Sequence, residues 1–220
     1  IAHENIVEIT DFYEAQGQEK YYIMVHLTGC SLGELQAKEG VIALSRALPI
    51  MLQVCSALGA AHKAGIIHRD MKPDNIFLTE RSGRKDFVKL LDFGVAKLID
   101  MERGQSLGQT AAGAILGTPE YMSPEQAGGR HVDHRSDVYS IGVILFELVT
   151  GRKPFVGKSF GEMVIKHLTV EPPRPSELKN LKQAIPNDLE QLILTCLKKD
   201  PADRLAGMPE VVDALTDCLS

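Results

Sequence analysis

The feature that most restricts how this chain can fold is a stretch over residues 136–151 that is apolar nearly all round. A surface helix needs one apolar stripe, whereas a helix that is apolar on every side has to be enclosed by other elements. Ser136 is placed to cap this helix and Gly151 to stop it. The stretch predicts a core helix, since its longest apolar run, at residues 141–149, is shorter than the ~20 residues that cross a bilayer.

Composition limits the partners of such a core. Of the 220 residues, 44% are hydrophobic, enough for a large apolar interior. The 24 basic and 29 acidic residues form no long runs of one sign, so no surface for nucleic acid or anionic lipid is indicated. The four cysteines form no C-x-x-C pair, which argues against a disulfide framework or a zinc site. We predict a globular cytoplasmic segment with no nucleic-acid partner and no membrane contact of its own.

Strand patterns appear in two parts of the chain. β-branched and aromatic residues at 6–13 and 21–27 predict a β-hairpin, and apolar runs at 76–78 and 87–91 predict a second ribbon. Residues 92–120 show no sustained periodicity. Because loops of this length inside a domain are usually functional, we interpret this one as regulatory.

The remaining helices follow from spacing and capping signals. Apolar spacing from Leu44 predicts an amphipathic helix that ends before Gly65, with Pro49 near its first turn. Asn187 and Glu190 resemble a capping box, which predicts a helix from there to about residue 198. Pro209 suits the first turn of a last helix.

Two short motifs follow the amphipathic helix: His68-Arg69-Asp70-Met71-Lys72-Pro73-Asp74-Asn75 and Asp92-Phe93-Gly94. They resemble the catalytic loop and the metal-binding triplet of protein kinases. Residues 117–125 resemble the substrate-docking loop of that family and its closing Ala-Pro-Glu, with Ser123 in place of Ala. Asp137 and Arg204 match two further fixed points in the same order. The stretches Ser-Pro-Glu-Gln and Asp-His-Arg-Ser-Asp-Val-Tyr-Ser look most like bacterial serine/threonine kinases of the eukaryotic-like type.

The resemblance implies an α+β, protein-kinase-like fold, in which a mainly helical large lobe carries a remnant β-hairpin of the small lobe. Residues 1–29 would be the end of the small lobe and the hinge, residues 30–220 the large lobe, and residues 92–125 the activation segment. The family's glycine-rich loop, strand lysine and helix glutamate would lie upstream of the His-Glu-Asn-Ile-Val at residues 3–7. We therefore expect a fragment that phosphorylates nothing measurable by itself.

The resemblance also assigns the catalytic residues. Phosphoryl transfer requires reactants to be positioned and charge on the phosphate oxygens to be neutralised. Asp70 would accept the proton of the substrate hydroxyl, and Lys72 would stabilise the transferred phosphoryl group, with the Thr118 hydroxyl bridging the two. Asn75 and Asp92 would supply hard oxygen ligands to Mg²⁺ beside the ATP phosphates.

An ATP pocket is implied next to these residues. Met24 would be the gatekeeper at its back, the backbones of Val25 and Leu27 would bind adenine, and Phe77 would form its floor. On the phosphate side, the implied ATP-binding residues are Lys72, Asn75 and Asp92.

Regulation and support are implied by resemblance as well. Arg69 would pair with a phosphorylated residue of the activation segment, for which Thr110 is the first candidate and Ser106 the second. Ile9, His68, Phe93 and Asp137 would be members of a stacked column that links the two lobes. Glu125 and Arg204 would form a buried ion pair.

The function implied is transfer of the ATP γ-phosphate to a serine or threonine hydroxyl of a protein substrate, with a kinase homodimer for autophosphorylation. One alternative is a pseudokinase that binds protein partners as a scaffold, which the retained Asp70 and Lys72 weigh against. Another is a small-molecule phosphotransferase, which the peptide-docking pattern disfavours. A metal site at His131, Asp133 and His134 is set aside in favour of a polar loop.

Overall fold

The computed structural model describes residues 1–13, 21–93 and 118–219. The strands in these ranges are β1 (Ile9–Tyr13), β2 (Tyr21–Met24), β3 (Gly29–Ser31), β4 (Ile76–Arg81) and β5 (Arg84–Leu90). The helices are α1 (Leu32–Glu39), α2 (Leu44–Lys63), α3 (Pro124–Ala127), α4 (Arg135–Thr150), α5 (Phe160–Thr169), α6 (Asn187–Cys196) and α7 (Met208–Asp217). Short 3₁₀ turns include Pro73–Asn75 and Pro119–Tyr121.

Helix α4 is the centre of the core, as its all-round apolar sequence predicts. Nearly all of its side chains are buried, and it packs against α2 and α6. A Cβ added at Gly142 would lie 2.7 Å from the Cβ of Cys196, so the glycine is what lets α6 approach this closely. The helix ends at Gly151, whose φ of 70° closes it in the left-handed conformation. The predicted end of the helix is confirmed.

The predicted cap of α4 is wrong. The residue at the N-cap is His134, which makes no side-chain cap, and Ser136 lies inside the first turn. Its hydroxyl donates instead to Glu125, a buried carboxylate from another segment. Sequence offered a good capping residue, but a tertiary hydrogen bond uses it.

Helix α2 has the predicted bounds and includes Pro49 in its second turn. Among the described residues it is also the one helix whose length and mean hydropathy of 1.3 would suit a membrane span. Half of that window is buried inside the fold, and α2 packs against α4, α7 and β5. This is the packing of a core helix in a globular domain.

The strands form two small antiparallel sheets. The predicted hairpin is confirmed as β1 paired with β2, in which Ile9 lies opposite Met24. The predicted ribbon is confirmed as β4 and β5, and β3 adds to its edge in the order β3-β4-β5. Gly29 has a φ of 151°, and a Cβ there would lie 1.9 Å from the Leu78 carbonyl oxygen, so only glycine fits at this crossing.

Among the helices of eight or more residues, two were not predicted although their capping signals are present. Ser31 and Glu34 form a complete capping box at the start of α1, and the Ser159 hydroxyl caps α5. The capping box predicted at Asn187 and Glu190 is wrong, because Pro186 is the N-cap and the Glu190 carboxylate accepts hydrogen bonds from Arg174 and from the backbone N–H of Ser176. The first-turn proline of α7 is confirmed.

Candidate active site

The backbone of the catalytic loop is held by a carboxylate from the central helix. Asp137, which is fully buried, accepts hydrogen bonds from the backbone N–H groups of His68 and Arg69, each at 2.9 Å, and from His62 Nε2 at 2.7 Å. Burial opposes ionisation of this carboxyl, but the hydrogen bonds from His62 and from the backbone N–H of His68 keep its pKa below the usual value. The loop is thereby fixed to the core of the fold.

His68 joins the catalytic loop to the segment that leads to Asp92. Its ring is fully buried, with Nε2 2.9 Å from the Leu91 carbonyl oxygen and Nδ1 3.3 Å from the backbone N of Asp70. Because a carbonyl accepts and an N–H donates, Nε2 carries the hydrogen and Nδ1 accepts. The Phe93 ring lies 4.9 Å away, between centroids. Ile9 is 47% exposed, and its membership of this column stays a prediction.

Asp70 and Thr118 line a small cleft, and Lys72 contacts both of them. Lys72 Nζ is 3.6 Å from Asp70 Oδ2 and donates to the Thr118 hydroxyl at 3.2 Å. Lys72 is extended, with φ of −156° and ψ of 162°, which directs residues 70 and 72 to the same side. Residues on both sides of the cleft line it, namely Arg69, Asp70, Met71, Thr118, Tyr121, Met122 and Gln126.

Asn75 lies beneath the loop and is oriented by it. Its Nδ2 donates to the carbonyl oxygen of Asp70 at 2.7 Å, so Oδ1 is the side-chain atom able to face a cation. Its own carbonyl accepts from the N–H of Leu91, the residue before Asp92. Asp92 has a φ of 49°, which turns the chain as it leaves the ribbon. Two hard oxygen donors of this kind suit Mg²⁺, which usually keeps waters and phosphate oxygens as its other ligands.

No group of three or more His, Cys, Asp or Glu side chains in the described ranges could hold a metal ion by itself. This includes the sequence around Asp133, whose carboxylate is bound by Arg135 at 2.6 Å, while His134 Nε2 bonds the Ala206 carbonyl. Residues 130–134 lie outside helix and strand, directly before α4, so the predicted loop is found there.

The residues predicted to form the adenine pocket on this side lie at the end of β2 and in the segment that follows it. Met24 and Leu27 are half-buried, and Val25 is 44% exposed. The backbone N–H of Val25 donates to the Glu8 carbonyl at 3.2 Å, so its carbonyl is the group left to meet a ligand there. Phe77 is half-buried on β4, where it pairs with Ser31, and its ring edge would lie 3.1 Å from a Cβ at Gly29.

The segment that faces the catalytic loop is tied to α4. The Tyr121 hydroxyl donates to Glu147 Oε2 at 2.6 Å, and burial raises the pKa of both groups. Lys153 lies 4.9 Å above the Tyr121 ring and 3.5 Å from a carboxylate oxygen of Glu120. Sequence reasoning missed Glu147 because a lone glutamate in an otherwise apolar helix carries no spacing signal.

The same segment ends in a buried ion pair. Both guanidinium NH groups of Arg204 lie 2.8 Å from the carboxylate oxygens of Glu125, and neither residue is more than 6% exposed. Burial acts to raise the pKa of Glu125, but hydrogen bonds from Arg204 and Ser136 hold it below the usual value. Arg204 also donates to the carbonyls of residues 135, 198 and 199. The N–H groups of the Arg204 guanidinium therefore all donate to acceptors within the protein.

The predicted phosphosites Thr110 and Ser106 lie outside the described residues. Arg69, their expected partner, has its backbone bound on both sides, by Asp137 and by Gln126. Gln126 was not singled out from the sequence.

Comparison with known proteins gives a consistent result. The protein kinase domain model matches residues 1–215. The chain is 45% identical over 206 residues to "Serine/threonine-protein kinase pkn3" of Myxococcus xanthus, which covers 93% of the chain and 37% of that protein. It is 44% identical over 220 residues to "Serine/threonine-protein kinase Pkn1" of the same organism, covering 100% and 30%. It is 38% identical over 212 residues to "Serine/threonine-protein kinase PknB" of Mycobacterium tuberculosis, covering 95% and 32%. The chain spans about a third of the length of these curated relatives.

Proposed function

Because this chain belongs to the protein kinase domain family, we propose that the gene product that contains it transfers the γ-phosphoryl group of ATP to serine or threonine hydroxyls of proteins. The observation that carries the proposal is the meeting of Asp70, Lys72 and Thr118 at one cleft, with Lys72 Nζ 3.6 Å from the carboxylate and 3.2 Å from the hydroxyl. A carboxylate beside an ammonium group is the pair that this reaction requires.

In this mechanism Asp70 orients the substrate hydroxyl and accepts its proton late in the transfer. Lys72 stabilises charge on the phosphoryl oxygens, and the Thr118 hydroxyl holds the ammonium group in place. The side chains of Asp70 and Lys72 are 26% and 24% exposed, so their ion pair contributes little to stability in water. Its value is positional, because the two groups are aligned before substrate arrives.

ATP would lie between the hinge at residues 24–27 and the catalytic loop, with Phe77 below the adenine. Asn75 Oδ1 and Asp92 would hold Mg²⁺, which neutralises charge on the ATP phosphates when it is bound. The chain's own contribution here is orientation, since the Asp70 carbonyl fixes the amide of Asn75.

The division of the chain is proposed on the same grounds. Residues 1–29 form the end of a small lobe and the hinge, residues 30–220 the large lobe, and residues 92–125 the activation segment. Phosphorylation of Thr110 or Ser106, by a second copy of the kinase in a homodimer, would add a charge that Arg69 can bind. We place this segment in the cytoplasm, with protein substrates and without a nucleic-acid partner.

The test is transfer of labelled phosphate by the complete gene product to a protein substrate, with Asp70→Asn as the matched variant. This substitution keeps the size of the side chain and removes the proton acceptor, so we expect transfer to fall by about a hundredfold or more. Transfer that is unchanged in the variant would contradict the role of Asp70.

Two other outcomes would overturn the proposal. Nucleotide binding without transfer, by a folded protein, would indicate a pseudokinase scaffold. Transfer to small hydroxyl compounds but not to proteins would indicate a small-molecule phosphotransferase.

A further inference from the structure

Gln126 connects residues 118–126, called the docking segment below, to the catalytic loop at residues 68–75. Its Nε2 donates to the carbonyl oxygen of Arg69 at 2.7 Å, and its Oε1 accepts from the backbone N–H of Ser123 at 3.1 Å. One partner can only accept and the other can only donate, so the orientation of the amide is fixed by its surroundings. Gln126 also lines the cleft that contains Asp70.

The carbonyl that Gln126 binds belongs to the peptide group between Arg69 and Asp70. Arg69 has a φ of 65°, a left-handed conformation that side chains other than glycine rarely adopt and that the surroundings must maintain. Its N–H is held by Asp137 and the next N–H by His68. Those two side chains belong to the core helix and to the loop itself. Gln126 is therefore the partner that comes from the docking segment.

The same side chain explains the local sequence of α3. Ser123 caps this helix and Gln126 completes the capping box, with the Ser123 hydroxyl accepting from the backbone N–H of Gln126. A glutamate at this position would also accept from the Ser123 N–H. An ionised glutamate could not donate to the Arg69 carbonyl, and only glutamine satisfies both backbone partners at neutral pH.

We propose that Gln126 is a positioning residue for Asp70, which makes the orientation of the catalytic carboxylate depend on correct seating of the docking segment. The proposal rests on the kinase function proposed above. Gln126 holds the plane of the peptide group from which Asp70 begins, so loss of its hydrogen bond frees that plane to rotate. The carboxylate would then spend less time in line with the acceptor hydroxyl.

Gln126→Glu tests this in the complete gene product, because it keeps the capping box while it removes the donor to Arg69 and adds one negative charge. At about pH 8 we expect kcat to fall about tenfold, the effect of one lost hydrogen bond, with KM for ATP and for the protein substrate within about twofold. As the pH is lowered, the carboxyl binds a proton and can donate again. The ratio of variant to wild-type kcat should therefore rise toward one.

Two further variants serve as controls. Gln126→Met removes both hydrogen bonds and cannot titrate, so it should lose kcat to a similar extent at every pH. Glu34→Gln makes the reverse exchange at the same position of the capping box of α1, where the Glu34 carboxylate accepts from the backbone N–H of Ser31, and should retain wild-type kcat. Thermal unfolding of each variant shows that it is folded.

The link is contradicted if a folded Gln126→Glu keeps wild-type kcat at about pH 8, or if its deficit is the same at every pH. If the new charge prevents folding, Gln126→Met decides: lost kcat at unchanged KM supports the link, and wild-type kcat overturns it. If the wild type transfers no phosphate, the proposed function fails separately. Hydrogen exchange at residues 69–71 then tests the link, since Gln126→Met should accelerate it and unchanged exchange would refute it.

Discussion

At the scale of single residues, buried polar groups decide how the site is held. Asp137 shows this most directly, since its two oxygens take up two consecutive N–H groups of the catalytic loop. Because Asp137 binds the backbone of the loop, these hydrogen bonds do not depend on which side chains the loop carries. This explains how the conformation of Arg69, which is strained by its positive φ, can persist.

His167 should make stability depend on pH. It is fully buried on α5, bonds the Tyr139 hydroxyl at 2.9 Å and contacts the Phe155 ring edge-on at 5.1 Å. Burial and the nearby Lys199 charge lower its pKa from 6.5 to about 4, although Glu120 and nearby carbonyls act in the other direction. Between those values the unfolded chain binds a proton that the folded chain does not. Stability is therefore lost as the pH falls from 6.5 toward 4.

The check is chemical denaturation at several pH values in wild type and His167→Gln. The wild type should lose up to about 1.4 kcal/mol per pH unit more than the variant across this window. Equal slopes for the two proteins would show that His167 is not the group responsible.

At the scale of elements, close approach of helices depends on small residues and on capping. Helix α4 meets α6 where Gly142 faces Cys196, and a single extra carbon would enter occupied space at 2.7 Å. Helix α5 has a glycine of the opposite kind, because a Cβ at Gly161 would meet nothing within 4 Å. Two glycines in two helices therefore have different reasons to be there.

Gly142→Ala and Gly161→Ala should change stability in opposite directions. The first forces α4 and α6 apart and should lower the free energy of unfolding by about 1–3 kcal/mol. The second removes the conformational freedom of a helical glycine and should raise it by about 0.5–1 kcal/mol. Urea unfolding of the two variants measures both, and destabilisation by Gly161→Ala would contradict the open environment described for it.

How much of this was predictable differs by element. Periodicity predicts α2 and α4 because burial on one side or on all sides leaves a regular record in the sequence. The cap at Ser136 and the capping box at Asn187 and Glu190 were wrong because these side chains serve tertiary partners. Helix α1 and strand β3 are short, so their periodicity was too brief to detect, although the Ser31 and Glu34 pair was a usable signal.

The site divides in the same way. Motif resemblance pointed to Asp70, Lys72, Asn75 and Thr118, and the structure brings these four together. Gln126 and Glu147 escaped because their partners are a distant backbone carbonyl and a distant tyrosine hydroxyl, which only the folded chain brings near. Motif resemblance therefore predicted the candidate catalytic residues, whereas the side chains that hold them in place required coordinates.

At the scale of the whole molecule, protection from solvent should decrease outward from α4. Hydrogen exchange of the α4 amides should require global unfolding, because nearly all its side chains are buried. Helix α5 buries only Met163 and His167 among its described side chains and exposes 59% of Ile165, so its amides should exchange through smaller openings. Mass spectrometry of peptides from the two helices measures this, and equal or faster exchange in α4 would contradict the layered picture.

The attachment of the catalytic loop to Asp137 of α4 has a practical consequence for protein engineering. Since the Asp137 carboxylate binds the backbone of the catalytic loop, the loop can be redesigned without a change in α4. On the proposed kinase function, a docking segment grafted from another protein to change the substrate should keep Asp70, the proposed base, in position when the graft supplies a carboxamide at position 126. Transplants that omit it would be expected to bind their new targets and turn them over slowly.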